Sequence, residues 1–309
     1  MDERRWTIEL AEIVNELDTF FQLAKWPADP AMKEWVPKTY ARADFDFEDV
    51  FEAQFCNKFN GLMLKAGSMV KHVFCSAFAT PDVLNNILGS GIYDALLFTH
   101  HPLDMEVCGA GFLPIPLSST KKFQQRRISI YSCHAPLDCH DEIGTNAAIV
   151  EALGVTVDKH YIEYGTGYAG RIGTVEQVGT DSLLKRITGI FGVSRLEVGG
   201  CLNTEVGRIA IVAGGGDEID YLKQAHECSC DMYLSGEWYP RYSPEAEGGK
   251  ERVARARQEI ADFSGKTRMV LVGVSHAASE YLVMKTQMKR YFEEKGLPTE
   301  PVPQSNWWR

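Results

Sequence analysis

Several features that would announce a function are missing from this 309-residue chain. No apolar run approaches the roughly 20 residues that a bilayer-spanning helix needs. The start, Met1-Asp2-Glu3-Arg4-Arg5-Trp6, leads into an amphipathic stretch without an apolar signal core, so a cytoplasmic protein with no membrane partner is expected. Basic charge is scarce: 32 Lys+Arg against 42 Asp+Glu leave a net charge of -10. That balance argues against nucleic acid as the main partner, which requires a basic surface. The one dense basic group, Lys121-Lys122 with Arg126-Arg127, reads as a solvated face. There is no Cys-x-x-Cys pair, and eight cysteines scattered through a chain of this size argue against a disulfide framework. Cys228-Ser229-Cys230 has the wrong spacing for a zinc knuckle and reads as small buried hydrophobes. No Gly-x-Ser-x-Gly elbow exists. Gly214-Gly215-Gly216 lacks the lysine and Ser/Thr of a P-loop and the spacing of the dinucleotide fingerprint, which leaves a tight strand-to-helix turn.

What remains is an ordinary globular composition, 45% hydrophobic and 24% charged, long enough for two domains. Ile8, Leu10, Ile13, Val14, Leu17 and Phe20-Phe21 follow a helical period. Pro27, Pro30 and Pro37 are expected to break the next stretch into loops and short turns, and 46–55 to form a helix. From 70 to 154, apolar runs at 70–77, 93–98 and 127–133 alternate with helical segments, one of them capped by Thr80; this is the pattern of a largely parallel sheet covered by helices. Tyr164-Gly165-Thr166-Gly167-Tyr168-Ala169-Gly170 reads as a flexible joint and a domain boundary. Beyond it come strand-like 171–178, 208–213, 231–234 and 269–272, a surface loop over 240–250, and a helix from His276 to about Tyr291. The closing Trp307-Trp308 suggests docking of the tail on this chain or on a neighbour.

Three strand ends carry chemistry. Phe98-Thr99-His100-His101-Pro102 ends a buried strand, and proline stops its ladder; inside a strand the two imidazoles would point apart, whereas at its end they can converge. His134 with Asp138 follows the second strand, and His276 with Glu280, four apart and so on one helical face, follows a third. The set is imidazole and carboxylate without thiolate, suited to iron, zinc or manganese. It exceeds the needs of one tetrahedral ion, so two ions bridged by a carboxylate account for it economically. The competing account makes His276 and Glu280 a surface helical pair and Asp138 a helix cap.

The ordered motifs Asn60-Gly61-Leu62, Thr99-His100-His101-Pro102, His134 through Asp138, Gly144-Thr145-Asn146, Gly170-Arg171-Ile172-Gly173, Ala213 to Gly216, Ser235-Gly236-Glu237 and His276 through Glu280 resemble the Nif-three-like dinuclear metal proteins, often labelled type-two GTP cyclohydrolase I homologues. The resemblance implies metal ligands at His100, His101, Asp138, His276 and Glu280, with Glu280 bridging two divalent ions. It implies catalytic or substrate-facing roles for Glu237 and His134. It also implies an α/β fold of two domains with mixed sheets flanked by helices: 1–165 plus 265–309 would carry the metal ligands, and 166–264 would be a smaller inserted domain. A homo-oligomeric, hexameric ring is the implied assembly. Residues 1–59 depart from the family start, Trp238 stands where a polar residue is expected, and 240–250 is expanded. The function so implied is a metal-dependent hydrolase, using a metal-bound hydroxide on a purine nucleotide or a related cyclic amidine or phosphoester. The alternative is a non-catalytic metal-binding ring acting as an interaction or metal-handling protein.

Overall fold

The computed structural model describes residues 7–104, 112–202, 205–240 and 250–308. The loop expected over 240–250 therefore lies, but for its two end residues, outside the described residues. The described chain divides into two compact units: residues up to 104 with 112–140 and 283–306, and residues 141–282 with Trp307 and Trp308.

The first unit is built on a five-stranded sheet in the order Thr299–Pro301, His72–Phe78, Ala95–His101, Ile128–Ser132, Gly61–Leu64. The first four strands are parallel, and Gly61–Leu64 closes the edge antiparallel. Every residue of Ala95–His101 is buried, as its unbroken apolar run requires of a central parallel strand. Phe74, Leu97, Ile128 and Ile130 share one core with Val83, Leu84, Ile87 and Phe123 from two covering helices. Thr80 caps the first of these, Pro81–Gly89, accepting the Val83 N–H at 3.3 Å.

Two local expectations fail in the amino-terminal segment. Pro37 lies inside a helix, Met32–Tyr40, instead of breaking one. Met32, Val36 and Tyr40, spaced four apart, bury one face in the core, and the Tyr40 hydroxyl donates to Pro102 O at 3.0 Å. This burial outweighs the lost hydrogen bond of a single proline. The helix expected over 46–55 is instead a 3-10 turn, Phe47–Asp49, and a helix, Ala53–Lys58. The Glu52 N–H is drawn away to Met63 O at 2.9 Å, which interrupts the helical ladder.

The second unit holds a six-stranded sheet in the order Thr156–Tyr164, Gly167–Gly179, Glu205–Gly215, Met232–Glu237, Val270–Gly273, Glu197–Gly200. Its three central members are parallel; the outer pairings are antiparallel. The glycine-rich stretch expected as a flexible joint is a β-hairpin, with Glu163 opposite Tyr168 and Tyr164 opposite Gly167. Val270–Gly273 pairs with Met232–Glu237, so that strand and the following helix, from His276 as far as Leu282, group with the second unit, whereas a return at 265 would have placed them in the first. Beyond His276 the helical residues reach Glu294, with a π-helical turn at Met284–Met288. The tail docks: the Ser275 hydroxyl donates to Trp307 O, the Trp307 ring lies 5.2 Å from that of Tyr281, and Arg195 sits 4.9 Å over Trp308.

Candidate metal centre

Each unit places imidazole and carboxylate groups beyond the carboxyl ends of its central parallel strands, the usual ligand position in open α/β sheets. In the first unit the ladder between Ala95–His101 and Ile128–Ser132 has its last pair at Thr99 and Ser132. The chain is held past that point by Ser132 Oγ donating to His100 O at 3.2 Å and Cys133 N to Thr99 O at 3.0 Å. On its other side the strand stays paired with His72–Phe78 as far as His101, opposite Phe78, and the adjacent His100 and His101 rings meet edge to face at 4.5 Å. His101 is stacked on Phe78 at 4.0 Å. The His134 ring lies 4.8 Å from that of His100 and 4.7 Å from that of His101. All three histidines are buried, and one ring nitrogen of each falls within a 4.8 Å circle.

The hydrogen bonds behind these rings settle which nitrogen faces forward. His100 Nδ1 lies 2.9 Å from Cys133 O, and a carbonyl can only accept, so Nδ1 carries the proton. His134 Nδ1 lies 3.1 and 3.2 Å from the two oxygens of Asp29. Burial alone would raise the Asp29 pKa. The facing His134, with the Met32 and Ala135 N–H groups, instead holds it well below the usual carboxylate range. An ionised Asp29 accepts, so His134 Nδ1 donates. The forward atoms are then both Nε2: that of His100 is 3.3 Å from Asp138 Oδ1, and that of His134 is 3.9 Å from Asp138 Oδ2. His134 immediately precedes the short helix Ala135–Cys139, which carries Asp138 four positions on.

These are acceptor atoms facing acceptor atoms, an arrangement that repels unless a proton or a cation lies among them. Donors bound at about 2.1 Å to one tetrahedral ion are about 3.4 Å apart, close to the separations here. A histidine bound to metal characteristically gives its other N–H to a carbonyl or carboxylate, as both His100 and His134 do. The residues therefore fit a divalent cation, and the lack of thiolate suits iron, zinc or manganese alike.

In the second unit, Ser275 leads into the His276–Val283 helix with φ of 90°, a strained conformation for a residue with a side chain. His276 Nε2 lies 2.9 Å from Glu280 Oε1, one helical turn on, and Nδ1 lies 3.4 Å from Glu237 Oε2. Burial opposes charge on this imidazole, but Glu280 and Glu237 overcome it and raise its pKa well above the usual range. Glu237 closes the strand Met232–Glu237, and Gly214 belongs to the neighbouring strand, where the register shifts between Val212 and Gly215. That bulge brings the Gly214 backbone, at φ of 70°, so close that an added Cβ would sit 2.3 Å from Glu280 Oε1 and 3.1 Å from His276 Nε2. Its N–H donates to Ser279 Oγ at 2.8 Å, while the Ser279 hydroxyl donates to His276 O at 2.7 Å.

Sequence reasoning missed Asp29, the Cys133 carbonyl and Ser279. Asp29 lies in a stretch read as loops. Its side chain accepts the Ala31 and Met32 N–H groups at the start of a helix, so a capping pattern was the available signal. His140 is partly buried and stacked on Phe20 at 4.6 Å.

The fold and these donors define a class: a two-unit α/β protein with mixed sheets that presents histidines and carboxylates able to hold a metal ion. Among the described residues no helix is long and apolar enough to cross a membrane. The Duf34/NIF3 (NGG1p interacting factor 3) family model matches residues 51–252, and the chain belongs to that family. Among curated relatives, a protein of Archaeoglobus fulgidus named "GTP cyclohydrolase 1 type 2 homolog" is 27% identical over 69% of this chain and 83% of its own length. One of Pyrococcus horikoshii with the same name is 24% identical over 78% of this chain and 87% of its own. Among solved structures, TTHA1606 from Thermus thermophilus matches with a TM-score of 0.64 at 17% identity, covering 97% of this chain and 99% of that one. The two chains share a fold.

Proposed function

We propose that the chain is a metal-dependent hydrolase with two divalent ions, and that His100, His101, Asp138, His276 and Glu280 are their ligands. The observation that carries this reading is the convergence of acceptor atoms on Asp138, with both Nδ1 protons already committed behind the rings. A carboxylate and two imidazoles so arranged repel one another unless a proton or a cation lies among them, and one divalent cation would satisfy all three. Divalent ions there would supply Lewis acidity and a lowered pKa for water. The chain's own groups have separate tasks. Cys133 O and Ser132 Oγ hold the His100 segment, Ser279 and Gly214 hold the start of the His276 helix, and Glu237 takes the Nδ1 proton of His276. Glu237, partly exposed, is also the group suited to contact substrate.

The substrate class is a purine nucleotide or a related cyclic amidine or phosphoester, supported by the name of the curated relatives. The family resemblance adds a hexameric ring as the assembly. Elemental analysis of gently purified protein, beside Glu280→Gln and His100→Ala, tests the centre. About two ions per chain, strongly reduced in both variants, are expected, with metal-dependent hydrolysis lost in Glu280→Gln. Wild-type protein that takes up no iron, zinc or manganese on reconstitution would refute the site. Metal uptake without hydrolysis of nucleotides or phosphoesters would refute the enzyme.

A further inference from the structure

Asp29 is fully buried, comes from the amino-terminal segment outside the family-matched residues, and meets His134 across 105 positions of sequence. Its two oxygens receive more donors than helix capping needs. Oδ1 accepts from Ala31 N at 3.0 Å and Met32 N at 2.9 Å; Oδ2 accepts from Asn60 Nδ2 at 3.1 Å and Ala135 N at 3.0 Å. His134 Nδ1 lies against both. Asn60 completes the enclosure, its Oδ1 accepting the His134 backbone N–H at 2.7 Å. Backbone and ring of His134 are thus both gripped from one side, and the ring's other edge is turned to His100, His101 and Asp138.

We infer that Asp29 is the positioning residue of His134: it holds the Nδ1 proton, so that Nε2 is the unprotonated nitrogen, and His134 is thereby a further donor to the ion held by His100 and Asp138. This rests on the metal-centre reading above and changes the part expected of His134, from a catalytic or substrate-facing group to a ligand. The physical requirement is tautomeric. A neutral imidazole has one donor and one acceptor nitrogen, and whichever partner fixes the first determines the second. The carboxylate can only accept, and so leaves one answer. Asparagine at 29 would still cap the helix through its oxygen. Its NH2, in the place of Oδ2 at 3.2 Å, would donate toward Nδ1 in competition with the one oxygen left to accept, favouring the tautomer with the proton on Nε2, where it blocks an ion.

The test uses the full chain, metal-free, with 15N-labelled histidine, at a pH where the His134 ring is neutral. Ring-nitrogen NMR is expected to show His134 protonated at Nδ1 in the wild type and at Nε2 in Asp29→Asn. Titration with zinc is expected to show affinity about 10–100-fold weaker in Asp29→Asn. In a His134→Ala background the Asp29→Asn change should have no further effect. A wild-type His134 protonated at Nε2 overturns the inference, and that spectrum does not depend on the variant folding. So does Asp29→Asn with wild-type zinc affinity, or an equal loss in the His134→Ala background, which would make Asp29 merely structural. Failure of wild-type protein to bind any metal sinks the metal-centre reading instead, while the tautomer spectrum still reports on Asp29.

Discussion

Replacing Gly214 with alanine separates two effects that the bulged strand combines. The residue sits at φ of 70°, a conformation that costs about 1–2 kcal/mol once a Cβ is present. The new Cβ would also lie 2.3 Å from Glu280 Oε1, so the carboxylate must move away from His276. Breaking a fully buried ion pair costs about 3–5 kcal/mol. With the His276 side chain 17% exposed and that of Glu280 3%, a share of roughly 2 kcal/mol is the reasonable expectation. Gly192 provides the control. It has a matching φ of 66° at the end of the Thr180–Phe191 helix, with nothing within 4 Å of an added Cβ. Denaturant unfolding should therefore show Gly192→Ala down by about 1–2 kcal/mol and Gly214→Ala by about 3–4 kcal/mol. Only Gly214→Ala should weaken metal binding in a zinc titration. If the two variants lose the same stability and both bind zinc like the wild type, Glu280 is not held against the Gly214 backbone, and the packing argument is wrong.

Tyr161 is buried in the second unit, and its hydroxyl has no hydrogen-bond partner among the described residues. Tyr161→Phe removes an unsatisfied polar group and should leave stability unchanged or raise it by about 1 kcal/mol in urea unfolding; a clear loss would reveal a partner for that hydroxyl. Asp29 has a folded-state pKa below its unfolded value, so protonation opposes folding: its contribution is complete above the unfolded pKa of about 3.9 and fades as pH falls below it. Stability measured from pH 6 down to 2 should drop less steeply in Asp29→Asn than in the wild type, and equal slopes would contradict the assigned ionisation.

Periodicity, capping residues and the placement of donors at strand ends were all present in the sequence by itself. The apolar run before His100 reads as a buried strand, Thr80 as the cap that begins a helix, and the ordered motifs carry the family. Such signals are legible because they depend on neighbours within a few residues. The failures share the opposite property. Pro37 was read as a breaker because its own backbone cost is local, whereas the core contacts of Met32, Val36 and Tyr40 that overrule it come from residues far along the chain. The glycines at 165–170 signal a turn but not the pairing of Tyr161 with Gly170, which makes that turn a hairpin. Strand order decided that Val270–Gly273 joins the second sheet, and with it which unit carries His276 and Glu280. At the candidate centre the residue types were readable, but the protons were not. Which nitrogen of His100 or His134 faces forward depends on Cys133 O and on Asp29, and only the tertiary structure brings an acceptor from residue 29 to an imidazole at residue 134. Sequence determined the inventory of donors; long-range backbone pairing determined their orientation, because a hydrogen bond has a direction and composition does not.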